Sequence, residues 1–453
     1  MRKLVKPELF PVRRKTILLA LTLVFAYIMI YPYYIYDPQI ELSPFPPLSP
    51  DDRILVLAPH PDDELLGAAG LLLEAEEKGV EAKIVIATNG DGYPWAARFS
   101  KYKFVVSSKD LIALGEKRMA ESKSGIKRLG LSEEQLIFLG YPDRGLMPIW
   151  LEFWDQPFTS RFTRSSQAPY TGLYNNMELP YSGQYLVKTL KDLLLEFQPT
   201  IIVTPHPLDS HPDHCALTCF MLYAGELAKA NGYTPRHVFG YLVHRGTWPH
   251  PRGYRPELGL NPPRSLGNLD LEWISLDLSP EAIKLKARAI REHRTQRLIM
   301  TGYLDSFTRK NELFSEIKAA FLPDDFQPVW VWHHPQSDTL ARRFLPSADI
   351  SGIQLQWDGS ELHVMVHTFG RQTLPSRGEL VLAIPCSEES RPLTVTIDKS
   401  KGEEKVRYEG SINIKALFGE DLNSILLLCR TRLGWWNIDS TPPILVILES
   451  LEE

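Results

Sequence analysis

The sequence has few cysteines and no block of basic residues in its predicted folded part. Four cysteines among 453 residues cannot form a disulfide framework, so stability must come from packed hydrophobic cores. The formal net charge of −5 argues against nucleic acid as a partner. No solenoid-type repeat is visible, and no Gly-x-Ser-x-Gly motif supports a serine nucleophile. At this length, two domains with appendages are the expected organisation.

An uncharged stretch of the sequence lies near the N-terminus. Residues 16–36 carry no charge and 17–30 are almost wholly apolar, which is typical of a single membrane-spanning helix. Basic residues precede this stretch and acidic residues follow it, so the positive-inside rule places the N-terminus in the cytoplasm and the rest of the chain outside. Tyrosines stand where a cleavable signal peptide needs small residues, which favours an uncleaved anchor. We therefore predict a single-pass membrane protein.

The middle of the chain alternates between strand-like and helix-like patterns. Short apolar runs, typical of buried strands, cover 54–58, 83–88, 136–139 and 201–204. Segments with helical spacing of apolar residues cover 64–78, 109–129 and 183–197. This alternation predicts a Rossmann-like, open, mostly parallel α/β sheet. From residue 350 onwards, apolar and polar residues alternate between turn residues, which predicts a C-terminal β-sandwich.

These patterns divide the chain into segments. We predict a basic cytoplasmic segment (1–15), a transmembrane anchor (16–36), a Pro-rich spacer (37–52), an α/β domain (53–320), a linker (321–349) and a β-sandwich domain (350–453). An insertion at 144–181 interrupts the α/β domain and is too long for an ordinary connection. Its tryptophans and phenylalanines favour an ordered lid over the site, and the alternative is a loop that packs on the protein body.

Two motifs of similar composition each follow an apolar run and precede a helix. They are His60-Pro61-Asp62-Asp63-Glu64 and His211-Pro212-Asp213-His214. Because ligands bind at the carboxyl ends of strands in open α/β sheets, the two loops can converge. His60 and Asp63, three residues apart in a turn, can point at one metal ion, with His214 as a third ligand. Three protein ligands leave a position for water, as in catalytic zinc sites.

Spacing alone leaves the roles of the carboxylates open. A metal lowers the pKa of water to about 7, and a nearby carboxylate must take the remaining proton. Asp62 or Glu64 could serve as this base, and either Asp62 or Asp63 could bind the metal. His211 could stabilise charge at the carbonyl or protonate the leaving amine. The alternative interpretation is structural, with His60 and Asp62 as helix caps and His211 as a loop histidine. Two such loops at strand ends favour the metal site.

The two motifs resemble those of the PIG-L/LmbE-type deacetylases. The resemblance rests on Ala58-Pro59-His60-Pro61-Asp62-Asp63-Glu64 together with Ser210-His211-Pro212-Asp213-His214. Supporting stretches lie at 88–92, 118–121, 129–130, 139–143 and 286–296. The resemblance covers roughly residues 53–296 and leaves out the insertion and the C-terminal domain. It implies a zinc-dependent hydrolase of N-acetylglucosaminyl groups, with one Zn²⁺ per site or another divalent metal such as Fe²⁺.

The resemblance also implies a role for individual residues. The implied metal ligands are His60, Asp63 and His214, and Asp62 is implied as the general base. His211 would stabilise the tetrahedral intermediate, with Asp213 tuning its charge. Arg118 and Asp143 match positions that hold sugar hydroxyls, and their alternatives are a helix-surface ion pair and a turn aspartate. His244 ends a predicted strand and either lines the cleft or is an ordinary histidine.

The predicted function is metal-dependent hydrolysis of the N-acetyl group of an N-acetylglucosamine-type sugar, releasing acetate. The sugar would belong to a glycan, a glycolipid or a glycoside. One alternative is a metal-dependent amidohydrolase that acts on a non-sugar N-acyl substrate. Another is a glycan-binding protein whose deacetylase-like domain is inactive. The expected partners are the amino-sugar substrate and the membrane that holds the anchor, and the sequence does not predict an oligomeric state.

Overall fold

The computed structural model describes residues 14–34, 40–101, 105–176, 180–267, 269–334, 345–371, 376–401, 405–419 and 422–449. The predicted basic segment lies almost entirely outside these residues, as do residues 37–39 of the predicted spacer and part of the predicted linker. The first elements along the chain are α1 (Arg14–Tyr34), β1 (Ser43–Pro44), β2 (Arg53–Ala58), α2 (Asp63–Lys78), β3 (Glu81–Thr88), α3 (Pro94–Lys101), α4 (Ser108–Arg128), β4 (Leu136–Tyr141), α5 (Leu146–Glu152), α6 (Gly183–Phe197), β5 (Ile201–Pro205), α7 (Pro212–Lys229), β6 (His237–Tyr241), β7 (Trp273–Asp277), α8 (Pro280–Ile290), α9 (Arg294–Asp305) and β8 (Asn311–Glu316). The remaining elements are β9 (Ala320–Pro323), β10 (Val329–His333), β11 (Ile350–Trp357), β12 (Glu361–Thr368), β13 (Ser376–Ala383), β14 (Leu393–Lys401), β15 (Val406–Asn413), α10 (Ile414–Phe418), β16 (Ser424–Leu433), β17 (Trp436–Ser440) and β18 (Ile444–Glu449).

An eight-stranded sheet of order β1-β7-β8-β6-β5-β2-β3-β4 organises the first part of the chain. Its strands β6, β5, β2, β3 and β4 run parallel to one another, whereas β8 runs antiparallel to β6 and β7. The chain continues from β2 to β3 on one side and from β5 to β6 on the other. The carboxyl ends of β2 and β5 therefore flank a topological switch point, where such sheets bind ligands. The predicted mixed α/β fold with a mostly parallel sheet is confirmed.

Burial explains why the central strands read as continuous apolar runs. Every residue of β5 is buried, and so is every residue of β2 after Arg53. Helices cover both faces of such a sheet, so neither face of a strand needs polar side chains. The helix α2 packs closely against β6. A side chain at Gly67 would therefore collide with the ring of Tyr241. The helix ends at Gly79, whose φ of 68° is the left-handed conformation that closes helices.

A buried ion pair joins α8 to the sheet and to α2. Lys286 Nζ donates to Glu312 Oε1 at 2.6 Å and to the carbonyl oxygen of Leu66 at 3.0 Å. The Glu312 carboxylate also accepts from the backbone N–H groups of Gly70 (2.7 Å) and Leu71 (3.1 Å). Both side chains are fully buried, so removing one partner leaves a charge without compensation in the protein interior.

We therefore expect Lys286→Met to lower the free energy of unfolding by about 3–5 kcal/mol. The matched control is Lys284→Met on the same helix, because Lys284 forms only an exposed pair with Glu281 at 3.4 Å. Exposed pairs contribute about 0–1 kcal/mol, so the control should be nearly neutral. Urea unfolding of the three proteins measures both effects. Equal stability of the two variants would show that the buried pair does not stabilise the fold.

The C-terminal part of the chain is a β-rich domain, as predicted. Its strands form one sheet of order β10-β11-β12-β15-β14-β13-β16-β18-β9, and β17 pairs with β16. Buried and half-buried residues alternate along β12, so one face of this strand packs into the domain core. The domain contacts the α/β part directly, because the Tyr223 hydroxyl of α7 donates to the carbonyl oxygen of Ser390 at 2.7 Å. The Trp154 indole likewise donates to the carbonyl oxygen of Glu388 at 2.9 Å.

The predicted membrane anchor is corrected by the structure. Within the described ranges, no helix is both long enough and apolar enough to span a bilayer. The nearly uninterrupted apolar run covers only residues 17–30, whereas a spanning helix needs about 20 apolar residues. The predictions of a transmembrane segment at 16–36, of a single-pass topology, of a membrane localisation and of the membrane as a partner are therefore wrong.

The aromatic residues of the 144–181 insertion pack into the body of the protein. Trp150 and Trp154 are buried, and their rings lie 5.0 Å and 6.1 Å from the ring of Phe220 on α7. Neither tryptophan lines the pocket that holds the two motifs. Trp150 and Trp154 therefore agree with the alternative interpretation, in which the insertion packs on the protein body.

Candidate metal centre and active site

The two motifs meet at the carboxyl edge of the parallel sheet. The loop after β2 carries His60 and Asp62, and Asp63 begins α2. The loop after β5 carries His211 directly before α7, whose first turn contains His214. Because β2 and β5 are hydrogen-bonded neighbours, loops far apart in sequence come together. The two loops converge in the structure, as the sequence predicted.

His60 and His214 both approach one oxygen of Asp63. Asp63 Oδ2 lies 3.1 Å from His60 Nδ1 and 3.1 Å from His214 Nε2. All three side chains are buried. Overlapping sets of histidine and aspartate side chains here have ligand atoms close enough to share a metal ion, among them His60 with His211 and His214. The arrangement contains nitrogen and oxygen donors of the kind that bind zinc and similar divalent metals.

The imidazole of His214 gives a test of whether a cation fits. Both of its nitrogens are fully buried, and neither has a hydrogen-bond partner among the described residues, although a carboxylate oxygen lies within 3.3 Å of each. Buried polar atoms are normally hydrogen-bonded, so an orphaned nitrogen needs an explanation. A cation between Nε2 and Asp63 would satisfy both ligand atoms. The residues therefore fit a metal ion.

Asp209 holds the far side of His214, and sequence reasoning did not identify it. Asp209 Oδ2 lies 3.3 Å from His214 Nδ1. The same carboxylate accepts from the backbone N–H groups of His211 (2.9 Å), Val243 (2.9 Å) and His244 (2.8 Å). Burial alone would raise the pKa of Asp209, but His214 and these donors hold it well below its usual range. Asp209 is thus an ionised carboxylate that orients a candidate ligand.

We expect Asp209→Asn to weaken metal binding by about 10- to 100-fold, because such partners fix the orientation and the basicity of a ligating histidine. The amide is nearly isosteric and keeps one oxygen acceptor for the backbone donors. Metal affinity is measured by competition with a chelator. The exposed Asp155→Asn serves as the control. An Asp209→Asn affinity equal to that of the control would exclude this role.

Asp62 has a strained backbone and does not cap the helix that it precedes. Its φ of 130° and ψ of −30° are unusual for a residue with a side chain, and its carboxylate makes no capping hydrogen bond. Conformations of this kind cost about 1–3 kcal/mol and occur most often at functional sites. Burial raises the pKa of Asp62 well above its ordinary value, and Arg118 opposes this effect. The helix-cap interpretation of Asp62 therefore fails.

Arg118 fixes the loops around Asp62. Its guanidinium donates to the carbonyl oxygens of Gly90 (2.9 Å) and Pro61 (2.8 Å), and Nη2 lies 3.5 Å from Asp62 Oδ2. Gly90 permits this approach, since its φ is +64° and a side chain there would collide with the guanidinium. Arg118 is buried, so it is not the helix-surface ion pair of the alternative interpretation.

Asp143 and Asp213 both contact His60. Asp143 Oδ1 lies 3.4 Å and Asp213 Oδ2 3.3 Å from His60 Nε2. The other Asp143 oxygen accepts from the N–H of Gly92 at 3.1 Å. Burial would raise the pKa of Asp143, but His60 holds it below its usual range. The Asp213 carboxylate accepts from the N–H groups of Arg144 (2.5 Å) and Leu146 (3.1 Å), and its described contacts do not include the His211 ring.

The protonation of His211 follows from its position as the N-cap of α7. Its Nδ1 accepts from the backbone N–H of Asp213 at 3.2 Å, so in the neutral ring the proton is on Nε2. Burial lowers the pKa of His211, and His60, His214 and His244 lower it further. His211 is therefore a neutral hydrogen-bond donor that faces the pocket.

A pocket of about 190 Å³ brings these side chains together. It is lined by His60, Asp62, Asp63, Arg118, Asp143 and His211, all of which were predicted site residues. His214 lies behind Asp63, and Asp213 behind His60. His244 and Tyr303 also line the pocket, and their contact, 3.1 Å from Tyr303 Oη to His244 Nδ1, closes one side. His244 was predicted only as one of two alternatives, and no sequence signal pointed to Tyr303.

The fold and the site define an α/β protein. At the carboxyl edge of its sheet lies a cluster of histidine and aspartate side chains that could hold a metal ion. Residues 55–224 match the family model described as PIG-L: GlcNAc-PI de-N-acetylase. The predicted resemblance to these deacetylases is thereby confirmed, together with the prediction that the protein is a hydrolase of the deacetylase class.

Individual proteins are similar to the chain at low identity. It is 24% identical over 283 residues to the Bacillus subtilis (strain 168) protein named "Probable N-acetyl-alpha-D-glucosaminyl L-malate deacetylase 2", covering 62% of this chain and 99% of that protein. It is 25% identical over 197 residues to a 1D-myo-inositol 2-acetamido-2-deoxy-alpha-D-glucopyranoside deacetylase of Salinispora arenicola (strain CNS-205), covering 42% of this chain and 56% of that protein. The solved N,N'-diacetylchitobiose deacetylase of Pyrococcus horikoshii matches at 18% identity and a TM-score of 0.34, covering 68% of this chain and 94% of that one.

Proposed function

We propose that the protein is a zinc-dependent enzyme that hydrolyses the N-acetyl group of an N-acetylglucosamine-type sugar and releases acetate. The observation that carries this proposal is that His60 and His214 both approach Asp63 Oδ2, at 3.1 Å each, and that Asp62 lines the same pocket as His60 and Asp63. These three residues would hold one Zn²⁺, and Fe²⁺ is the alternative metal. The intact set of ligands and base speaks against an inactive, purely glycan-binding domain.

The residues of the chain divide the catalytic work between them. A divalent metal supplies a Lewis acid that makes water acidic enough to attack at neutral pH. Asp62 takes the proton of the attacking water and can pass it to the leaving amine. The Nε2–H of His211 donates a hydrogen bond to the oxygen on which negative charge develops. Because the His211 ring is neutral, it stabilises this charge by a hydrogen bond rather than by transferring a proton. Asp213 and Asp143 act on His60 by holding Nε2, which leaves Nδ1 for the metal.

The amino-sugar substrate is supported by the relatives. Their names state N-acetylglucosaminyl malate and inositol glycosides as substrates, and both carry an N-acetyl group on a glucosamine ring. We propose that Asp143 and Arg118 line the side of the pocket that holds the sugar, and that Arg118 acts chiefly by fixing the loop of Asp62.

We also propose a division into domains. A Rossmann-like catalytic domain extends to residue 320, and a C-terminal β-sandwich includes β9 and β10, which come from the segment predicted to be the linker.

A deacetylation assay tests this function. The purified protein is analysed for bound metal and then incubated with N-acetylglucosaminides whose aglycones differ, while acetate and free amine are measured. We expect stoichiometric acetate and amine, loss of activity after chelation, and recovery on adding Zn²⁺. A protein that binds no divalent metal, or that releases acetate equally well after chelation, would contradict the proposal.

A further inference from the structure

A pocket of about 380 Å³ lies on the C-terminal β-rich domain, and we call it the Trp330 pocket. Its lining contains one tryptophan, two histidines, two hydroxyl side chains, one lysine and one arginine. No carboxylate and no aliphatic side chain is among the lining residues that the structure describes. The whole lining lies outside the matched residues 55–224. The pocket is therefore a feature of the C-terminal domain alone.

Strand pairing places polar side chains of this pocket in one row across the sheet. His333 on β10 pairs with Gly352 on β11, and Gly352 pairs in turn with His367 on β12. His367 pairs with Arg407 on β15. Side chains of directly paired residues project from the same face of a sheet. On β12, Val366 is buried and His367 is half-buried, so the row lies on the face turned away from the domain core.

The indole of Trp330 lies over the gap that Gly352 leaves in this row. A side chain at Gly352 would come within 2.5 Å of the indole atom Cζ3, so the position of the ring requires glycine there. The rings of His333 and His367 flank the indole, with centroids 5.3 Å and 4.7 Å away. Trp330 is nevertheless 48% exposed. The sheet and the two imidazoles thus hold the indole in place while part of its surface stays open to a ligand.

The polar groups beside the indole have hydrogen-bonding capacity left for a ligand. Arg407 Nη1 lies 3.9 Å from Glu409 Oε1, which is too long for a hydrogen bond. Burial lowers the pKa of His367, and Arg407 lowers it further, so the neutral ring is favoured. His367 Nε2 lies 2.8 Å from the amide oxygen of Gln354, which can only accept, so Nδ1 is the nitrogen without a proton. Donors, an acceptor and an aromatic surface therefore lie side by side.

Trp330 and His333 also line a groove of about 760 Å³ between the two parts of the chain. Its α/β wall includes Pro207 and Leu208, from the loop that follows β5 and carries His211. The exposed indole therefore borders two spaces, the pocket and this groove. A chain of linked rings that stacks on the indole has room in both, whereas a single small molecule would occupy only one.

We propose that the Trp330 pocket is a carbohydrate-binding site for an oligosaccharide chain, separate from the catalytic pocket. A pyranose ring has an apolar face of C–H groups that stacks on an indole, and its hydroxyl groups exchange hydrogen bonds with imidazole, guanidinium and hydroxyl side chains. An amphipathic helix would need aliphatic side chains in the groove that receives it, and the described lining of the pocket contains none. This inference goes beyond the proposed deacetylase function, because the site uses none of the catalytic residues.

Binding of a tetrasaccharide tests this inference. The probe is a linear tetramer of N-acetylglucosamine, and every protein carries Asp62→Asn so that the probe is not deacetylated. We expect Trp330→Ala to weaken binding about tenfold in calorimetry, because the stacking surface is lost, and Trp330→Phe to retain most of the affinity. Arg407→Gln keeps the indole and should weaken binding about threefold. Trp435→Ala is the matched control, since Trp435 is also exposed in this domain but lines neither the pocket nor the groove.

The possible results separate this site from the catalytic pocket and from a protein interface. Equal affinities of Trp330→Ala and its Asp62→Asn parent would place all binding at the catalytic pocket and overturn the proposal, and so would a tetramer that binds none of the proteins. Sedimentation of the same proteins tests another occupant, because a dimer that Trp330→Ala dissociates would assign this surface to a second copy of the chain. No turnover is measured, so a failure of the proposed deacetylase function would leave the binding result unchanged.

Discussion

Replacing Asp63 by alanine is expected to remove the bound metal and to lower kcat/KM by on the order of 10³- to 10⁴-fold. Asp63 Oδ2 is the atom that both candidate histidine ligands approach, at 3.1 Å each, so its loss breaks the centre of the set. A Lewis acid provides several kcal/mol of transition-state stabilisation, and each 1.36 kcal/mol corresponds to a factor of ten in rate. Metal content per chain and kcat/KM are measured on the same preparation.

A control variant separates the metal site from general effects of charge. Asp51→Ala removes an exposed carboxylate just before β2 and should leave metal content and rate unchanged. Asp63 also accepts from the backbone N–H of His60 at 3.1 Å, so unfolding is monitored to exclude a collapsed loop. An Asp63→Ala protein that is folded and still binds one metal ion with the affinity of the wild type would contradict the assignment of Asp63 as a ligand.

The parts of the fold that follow from local periodicity were predictable. Runs such as 54–58 and 201–204 are apolar throughout because both sheet faces are covered, and the structure places β2 and β5 there. The hydrophobic stretch at 17–30 was misleading, because no helix among the described residues is both long enough and apolar enough to span a membrane. The insertion was also ambiguous, since aromatic side chains such as Trp150 line a ligand site or fill a core with equal ease.

The site residues also fall into two groups, those that a local sequence motif identifies and those that only a tertiary contact identifies. Its ligands were predictable because two short motifs contain them at fixed spacing after strands. Asp209 was not predicted, although it precedes His211 by only two residues, since its role depends on a contact with His214 across the turn. Tyr303 comes from α9, a distant segment that the fold brings to the pocket. Such contacts have no signature in the order of residues.

The sequence left two carboxylates, Asp62 and Glu64, as candidates for the base, and the structure separates them. Asp62 lines the pocket, whereas Glu64 is fully buried beneath it and does not line it. Glu64 Oε2 instead accepts from the backbone N–H of Asp62 at 2.9 Å, so it supports the strained loop. Burial raises the pKa of Glu64 to about 7, as expected for a carboxyl group in a dry environment. The two residues should therefore respond differently to neutral substitution.

Asp62→Asn is expected to lower kcat about 10³-fold while the metal content stays that of the wild type, because the amide cannot accept the proton of the attacking water. KM should change little, since the carboxylate acts in the transition state rather than in substrate binding. Glu64→Gln is the matched control. Its amide oxygen can still accept from the Asp62 N–H, so kcat should fall by less than about tenfold. If Glu64→Gln lost activity as severely as Asp62→Asn with its metal retained, the base would be Glu64 and the strained conformation of Asp62 would serve only to position it.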